Sequence, residues 1–132
     1  MADERQRMEY ATLQDDRFFN EAYANNVYYE ASAWDLRLIF GQLDQRQGKS
    51  VINQHTGITL SWPQVKILSY WLRGYVEFYE FSNGTIKIPS NGIPPELPPP
   101  TQEQRAVDPQ VDKVYEIFKK LRSELVESQG KK

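Results

Sequence analysis

No cysteine occurs among the 132 residues, and histidine occurs once, at His55. Disulfides, thiolate zinc sites, iron–sulfur ligation and cysteine nucleophiles therefore have no sulfur to use, and a cage of several imidazoles cannot be built. Positive charge is not in excess either: 16 Lys and Arg stand against 18 Asp and Glu, a net charge of −2. Without a long-range positive field to condense on phosphates, nucleic acid is not the expected partner. Long hydrophobic runs are missing as well, none approaching the roughly 20 apolar residues that cross a bilayer. The start, Met1-Ala2-Asp3-Glu4-Arg5, lacks the apolar stretch of a secretory signal. A cytoplasmic address without membrane contact is the expectation.

What is plentiful is aromatic surface. Aromatics make up 13 % and hydrophobic residues 39 % of the chain, enough for one compact domain with tails and too much for a chain disordered throughout. The organisation expected is an acidic, flexible start over 1–17, an α+β core over 18–89, a proline-rich linker over 90–107 and a C-terminal amphipathic helix over 108–128.

Within the core, Val27, Tyr28 and Tyr29 favour a strand, and 34–40 alternates with period two, placing Trp34, Leu36, Leu38 and Phe40 on one face. The polar stretch 41–49 reads as a loop. Val51-Ile52 and Ile58-Thr59-Leu60 read as a third strand or a broken pair around Thr56-Gly57. Connections this short require antiparallel pairing, because a parallel crossover needs about a dozen residues. Ser61-Trp62-Pro63-Gln64 carries the signals of a helix start, and Asn83-Gly84 those of its end. Residues 85–89 read as a short edge strand ending at Pro89.

The long helix is the most informative segment. At about 100° per residue, Lys66, Ser69, Arg73, Glu77 and Glu80 fall on one stripe, and apolar residues fill an arc of roughly 180°, wider than the ~100° a surface helix needs. A small sheet covers about half of such an arc, and each large side chain left in water forfeits about 1.5–3 kcal/mol. Ile67, Trp71, Tyr75 and Phe78 are therefore the expected interface side of this helix. After the prolines, Asp108-Pro109 opens a second helix on which Val114, Phe118, Leu121 and Leu125 recur at three- and four-residue steps. That stripe either packs on its own domain or docks on a neighbouring chain.

Motifs for catalysis are sparse. His55 reads as a loop or strand-edge histidine, and Glu77 with Glu80 as a solvated helix face in which Lys66 and Arg73 take part. No phosphate loop, nucleophile elbow, zincin helix or calcium loop is present, and no cofactor is expected. Pro95-Glu96-Leu97-Pro98 is a minimal PxxP without a flanking basic residue, which favours a spacer.

Tyr23-Ala24-Asn25-Asn26-Val27-Tyr28, then Asp35-Leu36-Arg37-Leu38-Ile39-Phe40-Gly41, then Ile58-Thr59-Leu60-Ser61-Trp62-Pro63-Gln64-Val65-Lys66 resemble the bacterial and archaeal family known as domain of unknown function 3467. The likeness spans about 22–88. It implies a compact sheet followed by a long helix, and carries over no activity and no catalytic residue.

The functional expectation is a non-enzymatic, homo-oligomeric interaction or adaptor module, in its simplest form a two-fold dimer, with the linker or the last helix able to take a further protein partner. The competing expectations are a chaperone-like protein that binds polypeptides or small apolar ligands, and a small enzyme centred on His55.

Overall fold

The protein is described by a computed structural model over residues 10–46 and 48–130. Much of the acidic start, including Asp3, Glu4 and Glu9, lies outside the described residues, as do Lys131 and Lys132. Three strands, β1 (Asn26–Ala31), β2 (Asp35–Arg46) and β3 (Lys49–Ser61), are followed by the long helix α1 (Trp62–Asn83). A short 3-10 turn, Ser90–Gly92, precedes two further helices, α2 (Gln102–Val107) and α3 (Val111–Gln129). The fold is α+β, with the long helix after the sheet, as the hydrophobic pattern predicts. The chain divides into two compact units, Met1–Lys66 and Ile67–Lys132.

In the first unit the sheet is antiparallel in the order β1-β2-β3. Ser32 closes the first turn: its hydroxyl accepts from the Trp34 and Asp35 N–H groups, each at 3.1 Å, and donates to Asp35 Oδ1 at 2.8 Å. Directly opposed residues share a face, so the register places Tyr29, Leu38 and Ile58 in one row, with Val27, Phe40 and Thr56 beside it. Leu38, 8 % exposed, is the buried hydrophobic residue at the centre of that face. Phe18, at the start of the expected core range, is 77 % exposed, with the Arg17 guanidinium over its ring. Arg17 also bonds both carboxylate oxygens of Asp15, and those side-chain bonds hold the Asp15 carboxyl below its ordinary pKa.

Both longer strands exceed the sequence expectation. Residues 41–46, read as loop, continue β2, and β3 runs unbroken from Lys49 to Ser61, the hairpin turning at Gly48 with φ +74°. Phe40 pairs with Thr56 but Gly41 with Gln54, so His55 is the extra residue of a β-bulge. Gly41 is required there, because a Cβ at this position would sit 2.9 Å from the Asn53 carbonyl oxygen and 3.2 Å from Gln54 Cα. Gly41→Ala is expected to destabilise the sheet by about 1–3 kcal/mol through overpacking against backbone. A urea midpoint equal to that of the parent chain would show that the bulge accommodates a methyl group.

The long helix starts and stops where the sequence signals place it. Trp62 is fastened to the first turn by its indole N–H, which donates to the Ser32 carbonyl at 3.0 Å. At the far end Gly84 takes φ +86°, and its N–H donates to the Glu80 carbonyl at 2.8 Å.

In the second unit, residues 85–89 form no strand. Their backbone bonds go to side chains instead. The Ile86 N–H donates to Glu80 Oε2 at 2.8 Å, the Ile88 N–H donates to Gln129 Oε1 at 2.8 Å, and Gln129 Nε2 donates to the Ile86 carbonyl at 3.0 Å. One amide group thus supplies the donor and acceptor that a neighbouring strand would have offered. The stretch expected as a linker, 90–107, contains α2, started by a capping box between Thr101 and Gln104. Asp108 is not the N-cap of the last helix: it accepts from the Gln110 N–H, and α3 begins at Val111.

Candidate functional site

The apolar stripe of α1 is exposed along its whole length. No residue of α1 is buried, and among its large side chains Ile67 is 49 %, Trp71 56 %, Tyr75 70 % and Phe78 69 % exposed. At about 100° per residue these four lie within an arc of about 80°. Gly74 falls about 20° outside the edge of that arc, next to Ile67 and Phe78, with nothing within 4 Å of where its Cβ would be. Glycine inside a helix costs about 1 kcal/mol relative to alanine, and here it opens a notch between Trp71 and Phe78. Tyr70 meets Trp71 edge to face, with ring centroids 5.3 Å apart. The polar stripe behaves as a solvated face: Arg73 pairs with Glu77 at 3.5 Å, both side chains more than half exposed.

The four residues singled out on the last helix come together in one groove. Val114, Phe118, Leu121 and Leu125 of α3 form one wall, and Pro94, Pro95 and Leu97 of the proline segment form the other, enclosing about 690 Å³. The segment is held along the helix by Arg122, whose Nε donates to the Pro94 carbonyl at 2.8 Å and whose Nη1 donates to Glu96 Oε1 at 3.2 Å. The basic residue that the PxxP segment lacks nearby in sequence is thus supplied by α3. Sequence spacing identifies the helical wall; the opposite wall depends on an arginine 26 residues beyond Glu96.

His55, the candidate for catalysis, staples the sheet. Its Nε2 lies 2.9 Å from the Tyr23 carbonyl and its Nδ1 2.7 Å from Thr56 Oγ1, so the Nε2 that faces a carbonyl carries the proton. Glu80 is engaged by the Ile86 N–H. Among the described residues no group of three or more His, Asp or Glu side chains is placed to hold a metal ion, and no helix is long and apolar enough to cross a membrane.

Beside this geometry stands one comparison. The family described as Protein of unknown function (DUF3467) matches residues 2–88, about two thirds of the chain. The chain belongs to DUF3467. No curated protein and no solved structure matches it.

The residues that carry the DUF3467 resemblance can be given structural duties in this chain. The Asn25 N–H donates to the Gly41 carbonyl at 3.1 Å, and Asn25 Oδ1 accepts from the Leu43 N–H at 2.7 Å, which continues the ladder on β2 where β1 has ended. Tyr23 offers the carbonyl that meets His55. Asp35 closes the turn, Leu38 is buried and Gly41 admits the bulge. Tyr23, Asn25, Asp35, Leu38 and Gly41 of this DUF3467 chain therefore hold a sheet together.

Proposed function

We propose that this DUF3467 chain is a cytoplasmic, non-enzymatic self-association module, a homodimer in its simplest form, assembled through Ile67, Trp71, Tyr75 and Phe78 of α1. The observation that carries the reading is the exposure of that stripe in the single chain. Scattered exposed apolar residues are ordinary on a protein surface, but a contiguous aromatic stripe marks a contact site. Its composition fits a protein interface, where Trp, Tyr and Phe are enriched and charge is depleted at the centre. The Gly74 notch supports a helix as the occupant, since a missing side chain lets a second backbone approach. Two copies of one helix meeting about a two-fold axis bury this surface reciprocally. The test is the mass in solution of the chain and of Trp71→Glu.

The groove of the second unit favours a second reading, that the protein binds a small apolar ligand or an apolar polypeptide segment. Its volume lies within the range of ligand sites, and its walls are largely aliphatic and aromatic. An environment-sensitive apolar dye is expected to bind the assembled protein, and Leu121→Lys to lower its affinity at least tenfold. Dye uptake equal in the two chains would remove the groove from consideration.

A further inference from the structure

In an antiparallel sheet, residues alternate between those whose backbone groups face one neighbour and those whose groups face the other. The Ser32 N–H donates to the Asp35 carbonyl at 2.9 Å across the first turn. Counting from Asp35, the backbone groups of Arg37 and Ile39 also face β1, and those of Leu36, Leu38 and Phe40 face β3. Their partners Leu60, Ile58 and Thr56 face back. The N–H and C=O groups of Gly57 and Thr59, and the N–H of Ser61, consequently point outward from β3. Beyond that side the sheet has no further strand among the described residues. The pairing of Arg46 with Lys49 at the end of the hairpin has the same phase.

Exposed edges are normally blunted by proline, by charge or by shortness. Strand β3 is 13 residues long, has no proline and no acid, and its single formal charge is Lys49 at the far end. The bulge at His55 interrupts the edge and leaves residues 57–61 as an uncharged arm.

We infer that this arm pairs antiparallel with the same arm of a second copy, about a two-fold axis through Thr59. In that register Thr59 faces Thr59 and exchanges two backbone hydrogen bonds with it, Ile58 faces Leu60, and Gly57 faces Ser61. Aliphatic meets aliphatic on the face that holds Leu38, hydroxyl meets hydroxyl on the other, and both copies of Lys49 fall outside the pairing. The other arm is less self-complementary, because an axis through Ile52 sets Val51 against Asn53 and Lys49 against His55. The pairing joins two three-stranded sheets into one of six. It rests on the self-association reading but uses a different surface from α1.

Amide hydrogen exchange on the full chain, at a concentration where the mass is that of a dimer, tests it. The Gly57 and Thr59 amides are expected to exchange as slowly as those of Ile58 and Leu60, and to speed up on dilution to monomer. Thr59→Pro removes an outward N–H and no bond to β2, so it is expected to keep Ile58 and Leu60 protected while weakening the dimer at least tenfold. If that variant does not fold, Thr59→Lys, which adds a charge to the arm, is expected to weaken the dimer in the same way. A dimer whose Gly57 and Thr59 amides exchange at free-chain rates overturns the edge pairing and leaves association through α1 standing. A monomeric mass at all accessible concentrations overturns both.

Discussion

Trp71→Glu is expected to halve the mass of the proposed dimer in solution and to leave its helix content unchanged. Each protomer loses the burial of one large side chain, about 1.5–3 kcal/mol, so the two copies together lose about 3–6 kcal/mol. At about 1.4 kcal/mol per decade, that weakens dimerisation by about 10²- to 10⁴-fold. A carboxylate trapped in the remaining contact adds a desolvation penalty of several kcal/mol. Folding of the single chain is spared for a separate reason: Trp71 is 56 % exposed there, so the new carboxylate reaches water, and glutamate is at least as good a helix former as tryptophan. The matched substitution is Arg73→Ala, on the opposite side of α1, where the side chain is 83 % exposed and engages only Glu77. Its expected effect on mass is nil. A Trp71→Glu chain of unchanged mass and intact helix would place the self-contact elsewhere than on α1.

How much of this was legible in the sequence depends on whether the burial of an element, or only its hydrogen bonding, sets its form. Strand β1 and the first half of β2 are visible as patterns because one face holds Leu38 and must be apolar. From Gly41 onward the hairpin runs past the end of β1, and Gln42, Asp44, Gln45, Asn53 and Gln54 form a two-stranded ladder without a central strand's burial. Polar residues there imitate a loop, and only backbone pairing reveals the strand. Residues 85–89 err in the opposite direction, since the alternation of Ile86 and Ile88 imitates a strand whose partners are the side chains of Glu80 and Gln129. The capping box at Thr101 and Gln104 was readable as Thr-x-x-Gln, but the prolines up to Pro100 draw attention to a spacer. The α1 stripe was legible for the simplest reason: helical spacing is local, and the apolar arc it defines is left uncovered in the single chain.

That shortage of cover also makes the sheet sensitive to a single methyl-bearing side chain. Leu38→Ala is expected to destabilise the chain by about 2–5 kcal/mol, the usual cost of emptying an aliphatic core position. Leu38 lies in one row with Tyr29 and Ile58, both of which remain about half exposed and provide little surface to close over a cavity. Small domains keep only about 5–15 kcal/mol of net stability, so the loss is a large fraction of the whole. Trp34→Ala, two strand positions before Leu36, removes a far larger side chain that is 83 % exposed, and is expected to shift stability by no more than about 0.5 kcal/mol. Urea midpoints of the two variants, taken at one protein concentration because association also stabilises the folded state, order them by burial and against size. The reverse order, with Trp34→Ala the more damaging, would mean that the first turn is covered in the assembly and that the face centred on Leu38 is not what holds the strands together.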